Sequence, residues 1–272
     1  MPAFLLAEIA ISTLMKRTPL VVANWKMHGQ KAWIESFIQS FIGEFCGSRQ
    51  EQQCEVVLCP PHVFLAQVQA LVQSSVVKLG AQNLHSENKG PFTGEVSAPM
   101  LQEFGCTHVV VGHSERRTLF GETDSDVAAK FNAACQAGLV PILCVGENAQ
   151  ERQAEVTEVV VQRQLDAVLK QHGIAAFAKA VIAYEPVWAI GTGNTATPAQ
   201  AQDVHRFIRK YLAGFSRDIA EKVKILYGGS VKADNAIMLA GESDIDGALV
   251  GGASMNVKDF LAICAGFSGR QI

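Results

Sequence analysis

Short apolar runs alternate with amphipathic segments along most of the chain. Eight runs of roughly four to six residues, rich in Val, Ile, Leu and Ala, predict strands: Leu20–Ala23, Val56–Cys59, Val76–Ala81, His108–Val111, Val140–Val145, Ala180–Tyr184, Val223–Tyr227 and Ile245–Val250. Between the runs, apolar residues recur at every third or fourth position, as in Ile34, Phe37, Ile38 and Phe41, which predicts helices. The chain therefore alternates strand and helix.

Residues that commonly cap helices agree with this alternation. Thr123 precedes an acidic turn that opens one helical segment, and Gly138 follows its last apolar residue. Thr197 followed by Pro198 is typical of a cap and the first helical position. These residues predict a helix start after Thr123, a helix end near Gly138 and another start at Pro198.

Strands that alternate with helices are typical of a parallel sheet with crossover connections. The predicted strands are apolar almost throughout, which favours a sheet covered on both faces. An open doubly wound sheet and a closed barrel both remain possible, but eight units in about 250 residues fit the barrel without a remainder. No linker divides the chain, so we predict a single-domain α/β fold, a (β/α)8 barrel, over residues 19–272.

Residues 1–18 are expected to form an N-terminal extension outside this barrel. The first 13 residues are largely apolar, but no basic residue precedes them and Glu8 interrupts them, unlike a secretory signal or a membrane span. Met15 leads through Lys16 and Arg17 directly into the first predicted strand, so we hypothesise that Met15 is the natural start. Mass spectrometry of the protein made from its native gene would contradict this if the mature chain began at Met1.

The composition of the chain excludes some classes of function. Charged residues make up 18% of the 272 positions and the net charge is −3, which argues against a nucleic-acid-binding surface. Seven cysteines, an odd number without C-x-x-C spacing, indicate free thiols rather than disulfides or a metal site. We therefore predict a cytoplasmic protein that binds neither nucleic acid nor membrane.

A single carboxylate, Glu185, follows the sixth predicted strand. Pro186, Trp188, Gly191 and Gly193 come next, which indicates a stiff loop able to move as a unit. A carboxylate at a strand end beside a mobile lid suits proton abstraction in a site that excludes water. An isolated Glu-Pro would more simply be a surface turn, but polar groups at other strand ends favour the catalytic interpretation.

The loop after Glu185 also matches the loose dinucleotide pattern through Gly191, Gly193 and Ala196. In the true pattern the glycines follow a strand directly and open a helix. Here they follow Trp188, and the next helix is predicted to start only near Pro198. We expect no nucleotide cofactor.

Two further predicted strands end in groups that bear on chemistry, and such ends converge on one face of a parallel barrel. Asn24 and Lys26 follow the first strand, and His113 and Glu115 follow the fourth. Lys26 fits a surface lysine, a Schiff-base nucleophile or an ammonium that stabilises an oxyanion. His113 opens a helical segment, where the positive end of the helix dipole favours the neutral imidazole.

Paired glycines follow the last two predicted strands. Gly228–Gly229 precede Ser230, and Gly251 and Gly252 follow the eighth strand. One pair alone would indicate only a tight turn. Two pairs at adjacent strand ends predict a phosphate site formed by backbone N–H groups, with Gly191 added from the loop after Glu185.

Five motifs in this order carry a resemblance to a known enzyme family: Asn24–Met27, Gly112–Arg117, Ala183–Gly193, Tyr227–Ser230 and Gly251–Ser254. From about Pro19 onward the chain resembles the triosephosphate isomerases, which are TIM barrels. The resemblance implies the reversible conversion of dihydroxyacetone phosphate to D-glyceraldehyde 3-phosphate through an enediolate, a reaction of glycolysis and gluconeogenesis. The resemblance also implies that the reaction proceeds without a metal and without an organic cofactor.

The resemblance also implies catalytic roles. Glu185 would move a proton between C1 and C2, and neutral His113 would donate to the carbonyl oxygens. Lys26 and Asn24 would stabilise the oxyanion, while Glu115 would either orient Lys26 or relay a proton.

Binding roles follow from the same resemblance. Gly191, Ser230, Gly251 and Gly252 would hold the phosphate through their N–H groups. Ile190 and Leu249 would close over Glu185 and exclude water.

The segment from Gly80 to Glu95 resembles the family loop that inserts into a second subunit. This implies a homodimer in which Thr93 approaches the region of Asn24 of the partner subunit; a long surface loop is the alternative. Departures from the family are small: Asn194 replaces a common lysine, Pro91 a common alanine and Met255 a common leucine.

Two other functions remain open on the sequence. A barrel aldolase would use Lys26 as a Schiff base. A non-catalytic barrel would bind sugar phosphate without chemistry, but it would not need Glu185, His113 and Lys26 together.

Overall fold

The structure, a computed structural model, describes residues 17–190 and 195–269. Eight parallel strands close into a barrel in chain order. They are β1 (Leu20–Asn24), β2 (Glu55–Cys59), β3 (Lys78–Ala81), β4 (Cys106–Val111), β5 (Val140–Val145), β6 (Val181–Tyr184), β7 (Lys224–Tyr227) and β8 (Gly247–Val250). The prediction of a single-domain (β/α)8 barrel is confirmed. The proposed start at Met15, together with Gly191 and Asn194, lies outside the described residues.

Helices connect the strands within the described ranges and cover the outside of the barrel. They are α1 (Lys31–Phe45), α2 (Leu65–Val72), α3 (Ala98–Glu103), α4 (Ser114–Phe120), α5 (Asp124–Gln136), α6 (Ala149–Gln153), α7 (Thr157–His172), α8 (Pro198–Ala213), α9 (Arg217–Lys222), α10 (Ala236–Ala240) and α11 (Val257–Ser268). Short 3₁₀ turns at His62–Phe64, Ile174–Lys179, Val187–Ala189 and Gly252–Met255 complete the connections.

The predicted helix caps are confirmed. Thr123 accepts a hydrogen bond from the backbone of Asp126 at 3.2 Å and returns one to its carboxylate. Thr197 caps α8 in the same way, and Gly138 follows α5 with a φ of 76°. These residues fix where helices begin and end because they satisfy backbone groups that lack a partner inside the helix.

Alternating side chains divide the core into two layers, as the two-residue period of a strand requires. Leu20 and Val22 of β1 belong to the cluster inside the barrel, together with Val110 and Leu226. Val21 belongs to the larger cluster between the strands and the helices. Every strand except β3 contributes apolar residues to both clusters, which explains why most strands are continuous hydrophobic runs in the sequence.

Parallel pairing places the C-terminal ends of all eight strands at one mouth of the barrel. Closure is made by β8 and β1, with Leu20 opposite Gly247 and Ala23 opposite Val250. The last strand begins two residues later than predicted, because Asp246 turns its side chain to Arg17, Arg209 and the backbone of Ile225.

No helix in the described ranges combines the length and apolarity needed to cross a lipid bilayer.

Candidate active site

Three polar side chains from separate strand ends are buried at the C-terminal mouth. Asn24 ends β1, His113 follows β4 and Glu185 follows β6, and they are 5%, 6% and 2% exposed. All three line one cavity of about 310 Å³, which Lys26 also lines. Because burying polar groups is costly unless they are bonded, their partners indicate what the cavity can do.

Glu185 is held at both carboxylate oxygens. Its Oε2 accepts a hydrogen bond from the backbone N–H of Ser114 at 2.8 Å. Its Oε1 lies 3.0 Å from Nε2 of His113. The backbone N–H of Glu185 donates to the carbonyl of Val145 at 2.8 Å, so the barrel fixes the backbone position from which the carboxylate extends.

The contacts of His113 define its protonation. His113 is the N-cap of α4, and its Nδ1 accepts the backbone N–H of Glu115 at 3.2 Å. A nitrogen that accepts carries no proton, so the neutral ring bears its hydrogen on Nε2. That N–H points at Glu185, which is the arrangement of a neutral donor facing a carboxylate.

Lys26 adopts an uncommon backbone conformation with a φ of 50°. Its N–H donates to Asn24 Oδ1 at 3.0 Å, and its carbonyl accepts from the Gln82 amide at 2.8 Å. Its ammonium lies 2.6 Å from Glu115 Oε1. These bonds offset the cost of a left-handed conformation for a side chain with a Cβ and aim Lys26 into the cavity.

Three of the predicted phosphate residues line the same cavity. Ser230 follows β7, and Gly251 and Gly252 follow β8. A Cβ added at Gly251 would lie 3.5 Å from Cε of Lys26, so the glycine pair and the lysine are close neighbours. Gly191, the fourth predicted phosphate residue, lies outside the described residues.

Two glycines make room for the carboxylate. A Cβ at Gly228 would approach Cγ of Glu185 to 2.9 Å, and a Cβ at Gly146 would overlap the carbonyl oxygen of Glu185. Gly146 directly follows β5 and was not predicted from the sequence as a site residue. Its signal was present, since a glycine directly after an apolar strand often marks close backbone approach.

Glu147 was also missed by sequence reasoning. It is fully buried and accepts hydrogen bonds from Tyr184 Oη at 3.1 Å and Trp188 Nε1 at 2.8 Å. Burial raises the pKa of Glu147, while the bonds from Trp188 and Tyr184 act in the opposite direction. Its place after β5 was the available signal, and its bonds anchor the segment that leaves Glu185.

Apolar side chains flank the carboxylate, as expected. Ile190 and Leu249 line the cavity beside Glu185, and Leu249 is 3% exposed. Apolar walls around buried polar groups strengthen electrostatic interactions inside the cavity. No group of three or more metal-ligating side chains is found among residues 17–190 and 195–269.

The fold and the cavity together define a closed (β/α)8 barrel whose C-terminal mouth holds a buried carboxylate–imidazole pair and a pair of glycines in one cavity. A family model described as triosephosphate isomerase matches residues 19–267. The chain belongs to the triosephosphate isomerase family.

Three named triosephosphate isomerases are similar in sequence to this chain over nearly their whole length. The triosephosphate isomerase of Dechloromonas aromatica is 54% identical over 251 residues, covering 91% of this chain and 98% of that protein. Those of Alcanivorax borkumensis and Nitrosococcus oceani are each 53% identical over 250 and 252 residues, covering 92% and 91% of this chain and 98% of each relative.

Proposed function

We propose that this protein is a triose-phosphate isomerase that interconverts dihydroxyacetone phosphate and D-glyceraldehyde 3-phosphate. The observation that carries this proposal is the pair formed by buried Glu185 and neutral His113, 3.0 Å apart in one cavity with Lys26 and the glycine pair. A carboxylate base and a neutral donor are the two groups that an aldose–ketose proton transfer needs.

The carboxylate acts as the base. When the substrate occupies the cavity, Glu185 gives up its bond with His113 and turns toward the reacting carbon. It removes a proton from C1 of the ketose, and the electron pair moves onto the carbonyl oxygen to give an enediolate. A proton then passes from the C1 oxygen to the C2 oxygen by way of Nε2 of His113. The same carboxylic acid returns its proton to C2, which leaves the carbonyl group on C1 of the aldose.

Charge on the enediolate oxygens is met by fixed donors. The Nε2–H of His113 donates to these oxygens, and Lys26 supplies a positive charge from the same side of the cavity. Asn24 holds the Lys26 backbone through its side-chain oxygen. Donors that are already in place cost no reorganisation during the reaction, which is how such sites lower barriers.

Glu115 is proposed to orient the lysine. Its carboxylate contacts the ammonium of Lys26 at 2.6 Å, whereas its Oε2 is 3.7 Å from Nδ1 of His113. The shorter contact supports orientation over a proton relay through the imidazole.

The phosphate is proposed to bind at Ser230, Gly251 and Gly252, with Gly191 as a further donor. Backbone N–H groups of paired glycines favour anions because no side chain blocks approach. This places the reacting carbons between the phosphate end and the Glu185–His113 pair, in the span that Lys26 lines.

The direct test is turnover of D-glyceraldehyde 3-phosphate without added metal or nucleotide. We expect rapid conversion by the wild type and a loss of roughly a thousandfold or more in kcat for Glu185→Gln, because an amide cannot accept the proton. Glu35→Gln, an exposed carboxylate on α1, is the matched control and should retain full activity. Circular dichroism establishes equal folding.

The competing functions predict different results when the protein is incubated with the same substrate. A lysine-dependent aldolase would be trapped as a covalent adduct at Lys26 by borohydride with substrate. A non-catalytic sugar-phosphate-binding barrel would bind the substrate and convert none of it. Either result would overturn the proposed function.

We also infer a homodimer. A second cavity of about 350 Å³ lies on the far side of Lys26 and His113, bordered by Gln82 and Glu95. Met27 at its edge is 93% exposed, although an apolar side chain next to an active site is normally covered. The loop that contains Thr93 is exposed, and we propose that it fills this cavity in a second copy.

Measuring the molar mass of the protein in solution tests for the dimer. Light scattering should give twice the mass of one chain, and Thr93→Arg should shift the mass toward the monomer while lowering kcat/KM. A monomeric wild type with full activity would contradict the inference.

We infer a cytoplasmic location from the cysteines. All seven are free thiols, and five of them are buried. Unpaired thiols in a folded protein are typical of a reducing compartment.

A further inference from the structure

Lys232 lines the active-site cavity together with Ser230, Gly251 and Gly252, and it follows Ser230 by two residues. It follows β7 by a turn in which its N–H donates to Asn235 Oδ1 at 2.8 Å, and its side chain is exposed. Within residues 17–190 and 195–269 no carboxylate forms an ion pair with its ammonium. Its charge therefore faces the phosphate end of the cavity without a protein counter-ion.

The other charges of the cavity do not favour a dianion by themselves. The ammonium of Lys26 is already paired with Glu115 at 2.6 Å. Glu185 adds a further negative charge, so these three groups sum to one negative charge. The whole chain carries −3, which also repels an approaching phosphate ester.

We propose that Lys232 is a further substrate-binding residue, which draws dianionic phosphate esters to the glycine-rich end of the cavity. Backbone N–H groups recognise a phosphate at contact distance, but an unpaired cation at the rim acts over several ångströms. The proposal rests on the proposed function for the identity of the phosphate ester.

This position gives Lys232 a kinetic signature. Lys232 is exposed, whereas Glu185 and His113 are buried, so its charge acts on substrate capture and leaves the proton transfer unchanged. Attraction between exposed charges is screened by salt. Removing the charge should therefore lower kcat/KM and raise KM at low ionic strength, with kcat unaffected.

The test compares Lys232→Gln with Lys210→Gln. Lys210 is an exposed lysine in the last turn of α8, and the helices run antiparallel to the strands, so it lies at the opposite mouth. For Lys232→Gln we expect kcat/KM for D-glyceraldehyde 3-phosphate to fall about fivefold at low ionic strength, and less than about twofold near 0.5 M salt. Lys210→Gln should match the wild type.

Two further measurements distinguish loss of the Lys232 charge from a change in the structure of the site. The inhibition constant of inorganic phosphate should rise several-fold in Lys232→Gln, while turnover of unphosphorylated D-glyceraldehyde should not change. Lys232→Arg should restore the wild-type values. Equal losses with both substrates, or a loss that salt does not reduce, would overturn the proposal.

Failure of the proposal and failure of the proposed function are distinguishable. If the wild type isomerises its substrate and Lys232→Gln matches it at low salt, the assignment of Lys232 is wrong. If the wild type does not isomerise triose phosphates, the proposed function is wrong, and calorimetric binding of inorganic phosphate to the two proteins still decides on Lys232.

Discussion

At the N-terminal mouth of the barrel, fully buried Asp246 is bonded to Arg17 at 2.7 Å and Arg209 at 2.6 Å. At the C-terminal mouth, equally buried Glu185 faces His113 and an open cavity. Both carboxylates lie next to the end of a strand. The first has fixed cationic partners, whereas the second has partners that it can exchange for a substrate.

This difference shows how one architecture separates stability from function. Charged groups at the N-terminal mouth are matched by protein partners, so their removal should weaken the fold. Groups at the C-terminal mouth keep hydrogen-bonding capacity directed at a cavity, so their removal should weaken the reaction. The following changes test that division.

The largest effect is expected for Glu185→Asp. Shortening the side chain by about one methylene withdraws the base from the reacting carbon, and a misplacement of about 1 Å can cost on the order of a hundredfold or more in rate. We expect kcat to fall by that factor or more with little change in KM. Steady-state kinetics measures this, and urea unfolding should show stability within about 1 kcal/mol of the wild type.

An unchanged kcat in Glu185→Asp would remove Glu185 from the role of base. A large loss of stability instead would mean that the two mouths are not functionally divided. Glu35→Asp on α1 serves as the matched control for the substitution itself.

The opposite result is expected for Asp246→Asn. The substitution removes the carboxylate charge that pairs with Arg17 and leaves Arg209 paired with Asp244. Breaking a buried pair costs about 3–5 kcal/mol. Urea unfolding should show this loss, while kcat of the folded enzyme stays near the wild-type value. Asp203→Asn, which removes an exposed pair with Arg206, should cost less than about 1 kcal/mol.

The contrast between the mouths also explains which features could be predicted from the sequence. All eight strands were predicted within two residues, because strands buried on both faces must be apolar throughout. Asn24, His113, Glu185 and Ser230 could be predicted as neighbours because each lies at or just after a strand end, and all four line one cavity. Their roles stay predictions.

What the sequence could not provide depends on contacts between distant segments. Glu147 becomes a site residue only because Tyr184 and Trp188 reach it from the next strand and loop. The pairing of Arg17 with Asp246 spans almost the entire chain. No local pattern encodes either contact, since both arise when the barrel closes.

Buried histidines should make stability depend on pH. Burial lowers the pKa of His205 and of His108 to about 4; Lys78 and Lys224 also lower it at His108, while Glu55 opposes them. The folded state therefore binds these protons less readily than the unfolded state, whose histidine pKa is about 6.5. Stability is unaffected above pH 6.5 and falls as the pH drops toward 4, by about 2 kcal/mol per histidine at pH 5.

Urea unfolding at pH 7.5 and pH 5 measures this loss. The raised pKa of Glu147 acts in the opposite direction, so the comparison with His108→Gln isolates one histidine. That variant should lose about 2 kcal/mol less than the wild type between the two pH values. Parallel pH profiles would contradict the prediction for His108.

The smallest effect is expected for Glu55→Gln at the N-terminal mouth. Burial alone would raise the pKa of Glu55, but hydrogen bonds from Lys224 and Lys78, at 2.5 and 2.7 Å, lower it below its usual value. A lowered pKa means that the carboxylate contributes stability above the unfolded pKa, and that this contribution is lost as the pH falls through the folded pKa. Because these groups are partly exposed, we expect Glu55→Gln to cost only about 1 kcal/mol at pH 7. Urea unfolding should show this difference at pH 7, and the difference should shrink as the pH falls through the lowered pKa of Glu55. We expect kcat to be unchanged because Glu55 lies at the mouth opposite Glu185, and a loss of kcat would contradict the division between the mouths.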